Sequence, residues 1–197
     1  MEDNEMAITQ ELDNTAPKST ILWGWIAIGF IITGIGFFAL YALTQDAHQM
    51  GIVEYGGKSF IGWFMGFFPA FEIYGAVPAS YALGLGIISS VVWAVFGNLL
   101  PVWVIHYGYE YLQRYPRIDA WLDRLASEKV QQRMNRYGIL GVLILTPWVG
   151  IWAMSLTARA LGMKVGRLFL FASISVIAYA IFIALTLDVG VKVISGG

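Results

Sequence analysis

Chemistry in this sequence starts with Glu72. It lies in an apolar region, Ser59 to Tyr109, whose only other ionisable side chain, tyrosines apart, is His106. An ionised acid at membrane depth costs roughly 3 kcal/mol on insertion scales. Such a group neutralises, finds a partner or faces water. A carboxylate that exchanges its proton there can couple the movement of a substrate to protons. Pro69, Gly75 and Pro78 stand beside it and disfavour one uninterrupted helix across the acid. Broken backbone inside a bilayer belongs where it lines a cavity, not against lipid. The expected arrangement is a re-entrant hairpin with Glu72 near its tip. The alternative is an interfacial turn between two ordinary helices.

Other chemistries lack their residues. The chain has no cysteine, which removes disulfides, thiolate metal sites and a cysteine nucleophile. His48 and His106 have no metal-ligand spacing with an acid or with each other. Gly84-x-Gly86 lacks the third glycine and the βαβ setting of a nucleotide loop. No Ser/His/Asp set can be assembled within the apolar segments. Membrane interfaces account for the eight tryptophans before any cofactor box is needed. The expectation is a protein that is not an enzyme and carries no cofactor and no metal. A net charge of −1 gives no basic field for nucleic acid.

The elements that must position Glu72 follow from hydropathy. The 197 residues are 58% hydrophobic and only 13% charged, against about a quarter charged in soluble domains. This composition implies an all-α integral membrane protein. Residues 1–19, with five acids and Lys18, read as a solvated tail. Residues 20–187 read as a single transmembrane domain and 188–197 as a C-terminal tail. Ile21 to Leu43 carries no charge and is long enough to span, with Trp23, Trp25 and Tyr41 at its ends. Thr44 to Lys58 reads as a polar loop containing Asp46, His48, Glu54 and Lys58. Ser59 to Phe71 is a short apolar arm in which Gly62 and Gly66 permit close helix contact. Residues 72–79 form the break, and a second short arm follows. Ile87 to Tyr109 is a span interrupted at Gly97, Asn98 and Pro101. Asn98 fits an interhelical hydrogen bond better than a ligand contact. In Arg114 to Arg136, Ile118, Trp121, Leu122, Leu125 and Val130 recur at helical steps opposite a charged face. That pattern fits an amphipathic helix on the membrane surface, with a solvated connector as the alternative. Gly138 to Thr157 is apolar but interrupted at Thr146, Pro147 and Gly150, and Leu168 to Leu187 is the last span.

An offset of 78 residues places Pro69 on Pro147 and Ala82-Leu83-Gly84 on Ala160-Leu161-Gly162. Each copy has a short arm, a Pro/Gly break, a second short arm and one full span, over about 59–109 and 137–187. If both breaks are re-entrant, each copy crosses once in net and the repeat is inverted. The expected fold is therefore two re-entrant helical hairpins in an inverted repeat, about three full transmembrane helices and one amphipathic surface helix. This topology puts ten of the twelve basic residues on one side, whereas two full crossings would split them eight to four. The positive-inside rule favours the first and makes that side, with the N-terminus and 110–136, cytoplasmic in a bacterial-type inner membrane.

FPAFEIYGAVPASYALGLG followed by FGNLLPVWV resembles the small multidrug export proteins, distantly similar to DedA and VTT-domain membrane proteins. The match is carried by Pro69, Glu72, Gly75, Ala76, Pro78, Gly97, Asn98 and Pro101, and YGILGVLILTPWVGIWAMSLTARALGM resembles a second block. The resemblance implies two re-entrant loops in an inverted repeat, with lipid translocation or proton-coupled transport in some relatives. Tyr74 stands where the family usually has Arg, and Pro147-Trp148-Val149-Gly150 replaces a glycine-richer second block. Without that cation Glu72 lacks a local charge partner. Arg159 could replace it if the hairpins face each other; the plainer reading is a snorkelling cytoplasmic arginine. The expected substrate or proton pathway is Glu72, Tyr74, Gly75, Pro78, Asn98, Pro147, Gly150 and Arg159. The expected function is a small transporter or lipid translocase, with a non-transporting accessory subunit of a larger membrane complex as the alternative. Expected partners are membrane lipids, with a homodimer or a membrane-complex partner also open.

Overall fold

The computed structural model describes residues 31–44, 46–114, 141, 143–144 and 146–195. The 1–19 tail and nearly all of the 114–136 surface helix lie outside the described residues. Contacts divide the chain into two units, Met1–Leu43 and Thr44–Gly197. In the first, α1 (Ile31–Leu43) is an apolar helix. In the second, regular structure among the described residues is helical throughout: α2 (Asp46–Gln49), α3 (Ile52–Phe67), α4 (Glu72–Ala82), α5 (Ile87–Leu112), α6 (Ile151–Ala160) and α7 (Val165–Ser195). A further helical stretch, 146–149, precedes α6.

α5 and α7 each contain a segment long and apolar enough to cross a membrane, Ile87–Tyr109 with 23 residues and Val165–Val191 with 27. α7 buries Leu168, Ala172, Val176, Ala180 and Ala184, a stripe at four-residue steps made mostly of small side chains. Its opposite face exposes Leu170, Ile174, Ile177, Ile181 and Leu185. Small residues inside and large apolar residues outside suit a helix whose solvent is lipid.

α3 and α4 form a hairpin. Gly62 of α3 meets Ser80 of α4, and Lys58 Nζ lies 3.5 Å from where a Cβ on Gly84 would stand. α4 has 11 residues and α6 has 10, about 16 and 15 Å of helix, half of a bilayer core. Each packs on the long helix of the other half of the chain: α4 against α7, α6 against α5.

Several boundaries differ from the sequence expectation. α3 starts at Ile52, so Glu54 and Lys58 belong to a helix, where they form an i,i+4 ion pair at 2.7 Å. The break is 68–71, not 72–79: Glu72 opens α4, which runs on through Gly75 and Pro78. Pro78 falls in the second turn, where it costs one bond to the Tyr74 carbonyl but does not end the helix. α5 is continuous through Gly97, Asn98 and Pro101; Gly97 and Asn98 serve contact with α3, and Pro101 is buried. A Cβ on Gly97 would stand 1.9 Å from the Trp63 carbonyl oxygen, and one on Gly66 2.3 Å from that of Ala94. Asn98, buried, donates from Nδ2 to the Gly66 carbonyl at 2.9 Å. α7 continues past Leu187 to Ser195.

The 78-residue offset holds in the backbone. At the end of α4, Gly84 N–H donates to Tyr81 O and Leu85 N–H to Ser80 O; at the end of α6, Gly162 N–H donates to Arg159 O and Met163 N–H to Ala158 O. These are two Schellman closures with glycine in the left-handed region, φ 91° at Gly84 and 73° at Gly162. The same offset relates the starts of α5 and α7, Ile87 and Val165.

Candidate functional site

The first turns of α4 and α6 meet. Glu72 and Gly150 correspond at the 78-residue offset, and both have positive φ, 45° and 87°. Glycine takes that conformation freely; a glutamate in it is strained by about 1–3 kcal/mol. Both amides also close the same bond, Glu72 N–H to Phe68 O and Gly150 N–H to Thr146 O. The Glu72 side chain crosses to the second break. Ile151 N–H donates to its Oε2 at 3.3 Å, and Trp152 N–H also faces the carboxylate. A Cβ on Gly150 would stand 2.5 Å from Oε1, so the carboxylate occupies the room that the missing side chain leaves. The acid is half-buried and in no ion pair among the described residues. Its partner is the N-terminal end of α6, where unpaired amides and the helix dipole favour negative charge.

Two more bonds cross between the breaks. The Tyr74 hydroxyl donates to the Pro147 carbonyl. Trp152 Nε1 donates to the Phe67 carbonyl at 2.7 Å, and its ring meets that of Phe67 edge-on at 5.2 Å. Tyr74 and Trp152 are themselves 78 residues apart, so each half-helix fastens an aromatic donor to the chain just before the other break. Tyr179 of α7 lies against Tyr74, with ring centroids 6.3 Å apart.

Of the eight residues expected from the sequence, Glu72, Tyr74, Pro147 and Gly150 come together here. Gly75 sits inside α4, where a Cβ would press the Phe71 side chain at 3.0 Å. Pro78 lies further along α4, and Asn98 is committed to the α3–α5 contact. Arg159 is not the partner of Glu72. It is eight residues beyond Ile151, about 12 Å along α6, with its guanidinium over the Tyr109 ring at 5.1 Å.

Three contributors were not foreseen: Trp152, Tyr179 and, elsewhere, Asp46. Asp46 is fully buried, not a loop acid. Gly86 N–H donates to its Oδ1 at 2.6 Å, and the Thr44 hydroxyl to Oδ2 at 2.9 Å, so it caps the start of α5. The Ser89 hydroxyl also donates to Oδ2. Trp93 Nε1 donates to the Tyr55 hydroxyl at 3.0 Å, which contacts Ser89 Oγ at 3.2 Å. The single Ser89 hydrogen is committed to Asp46, so Tyr55 donates its own to Ser89 and the chain of bonds ends at the carboxylate. In the sequence Asp46 is one acid among several in a polar segment, and nothing there marks its burial.

Comparison with curated proteins and with solved structures finds no match. Residues 72–183 match the family described as small multi-drug export protein, a stretch that runs from Glu72 through both half-helices into α7. That is more than half of the chain, and with α5 and α7 able to cross a bilayer it identifies a membrane protein that belongs to the small multi-drug export protein family.

Proposed function

We propose that this chain is a small membrane exporter whose substrate and proton route passes the meeting point of the two breaks, with Glu72 as the exchangeable group. The observation that carries this reading is the partner of Glu72: backbone N–H groups at the start of α6 rather than a cation. A carboxylate held by amides alone can be released by protonation, and a substrate can take its place. Tyr74 and Trp152 hold the two breaks together while the acid is docked. Gly75 and Pro78 give the half-helix that follows its packing and its freed carbonyl. In this reading the α3–α4 hairpin is re-entrant and the repeat is inverted; the nearness of Lys58 to Gly84 supports a return to the same side. The side bearing Arg159, Lys164 and Arg167 is the cytoplasmic side of a bacterial-type inner membrane.

The test is flux into proteoliposomes by wild type, Glu72→Gln and Glu72→Asp, with labelled phospholipid, a polyprenyl phosphate and cationic drugs as parallel substrates. The expected result is flux of one class that depends on a proton gradient, is lost in Glu72→Gln and is partly kept in Glu72→Asp. Flux that is unchanged and pH-independent in Glu72→Gln removes Glu72 from the route. No flux of any class, with a stoichiometric membrane partner retained in mild detergent, favours an accessory subunit instead.

A further inference from the structure

Arg159 lies on the last turn of α6, and its Nε is buried without a hydrogen-bond partner. Its guanidinium carbon lies over the Tyr109 ring, 5.1 Å from the centroid, a cation–π contact that holds the charge at the end of α5. His106, one turn earlier on α5, leaves its buried Nδ1 without a partner as well. A guanidinium with a buried, unpartnered Nε and no ion pair among the described residues calls for an anion.

The chain supplies none among the described residues. The sequence has no acid between Glu128 and Asp188. Asp188 stands 23 residues along α7 from Val165, about 35 Å away, and Glu72 is at the far end of α6. Lys164 and Arg167, both exposed, add positive charge at the turn into α7 and form no ion pair among the described residues.

Depth then selects the anion. Tyr109 closes the apolar segment of α5, and Val165 opens that of α7. Arg159, between them, is therefore at the level where a bilayer presents its phosphates. We propose that Arg159, oriented by Tyr109, binds the phosphate of an anionic lipid headgroup at the end of the α5–α6 contact, with Lys164 and Arg167 supplying the surrounding field. The site is separate from Glu72 and does not depend on transport.

Native mass spectrometry of the purified full chain with added phosphatidylglycerol, and with phosphatidylcholine as the uncharged control, tests this. Wild type is expected to retain one phosphatidylglycerol in preference to phosphatidylcholine. Arg159→Gln should lower that retention roughly tenfold, and Arg159→Lys, a point charge without the fork, should keep part of it. The double variant Lys164→Gln/Arg167→Gln should stay within about twofold of wild type. Equal retention by wild type and Arg159→Gln overturns the site. So does a loss in the double variant as large as that in Arg159→Gln, which would mean diffuse surface attraction. Displacement of the lipid by millimolar inorganic phosphate overturns the headgroup as the source. A several-fold rise in retention with Glu110→Gln, the acid nearest Tyr109 in sequence, would show the guanidinium already engaged and overturn the proposal too. Arg159→Lys keeps the charge and the fold, so the comparison survives if Arg159→Gln does not fold.

Discussion

Glu72 and Gly150 make a pair in which one residue carries the side chain and the other leaves room for it. Gly150→Ala is doubly penalised, by φ 87° and by a Cβ 2.5 Å from Oε1. It should lose about 1–3 kcal/mol of stability and most of the flux. The steric half of the cost disappears when the acid is gone, so Gly150→Ala in a Glu72→Ala background should cost less than in wild type. Thermal melting of the four proteins in detergent measures that coupling, and strict additivity would contradict the contact. Asp46 gives a second residue-scale prediction. All three of its described contacts donate, so Asp46→Asn sets an amide NH₂ against donors, and Asp46→Ala leaves Gly86 N–H without its acceptor. Stability should fall in the order Asp, Asn, Ala, by about 1–3 kcal/mol at the last step. The same melting experiment checks it. Glu72 was legible because a lone acid in apolar surroundings is conspicuous. Asp46 was not, because polar neighbours in sequence disguise a residue that the fold buries.

At the scale of elements, the chain's glycines divide by what they meet. Gly84 and Gly162 close their helices at positive φ with no atom nearer than 3.5 Å to a Cβ, so alanine there costs conformation alone, about 1 kcal/mol each. Gly97 has ordinary helical backbone but faces the Trp63 carbonyl at 1.9 Å. Gly97→Ala must push α3 and α5 apart and strain the Asn98–Gly66 bond, at a cost of several kcal/mol. Melting of Gly84→Ala, Gly162→Ala and Gly97→Ala would rank them, and a mild Gly97→Ala would contradict the close approach. The repeated Pro and Ala-Leu-Gly were readable in sequence, and the structure gives the second its physical meaning as a matched Schellman closure. The expected interruption of α5 was misread for a physical reason. Gly, Asn and Pro inside an apolar segment look like breakers, yet Gly97 and Asn98 are contact residues and the helix runs unbroken through all three. The partner that Glu72 does have was not foreseen, because backbone amides leave no mark in a sequence.

For the whole molecule, the topology is decided by the sides of the membrane that the helix ends face. α3 and α4, about 24 and 16 Å long, are each shorter than a bilayer core, and they fold against each other so that Lys58 returns to Gly84. On the proposed re-entrant topology Gly84 stays on the side of Lys58, and the Gly62–Ser80 contact is kept. The chain is free of cysteine, so single cysteines report without background. His48, Leu83, Gln113 and Lys164 are exposed at successive ends of the second unit's helices. If both broken segments dip in and return, cysteines at 48 and 83 react with a membrane-impermeant maleimide from one face, and those at 113 and 164 from the other. If both segments cross, 83 moves opposite 48 and 164 moves opposite 113. The crossed result would leave ten cations divided against the positive-inside preference and would pull Glu72 away from the start of α6. Labelling of 48 and 83 from the same face of intact cells is therefore the expected outcome, and labelling from opposite faces would end the re-entrant reading and the export route built on it.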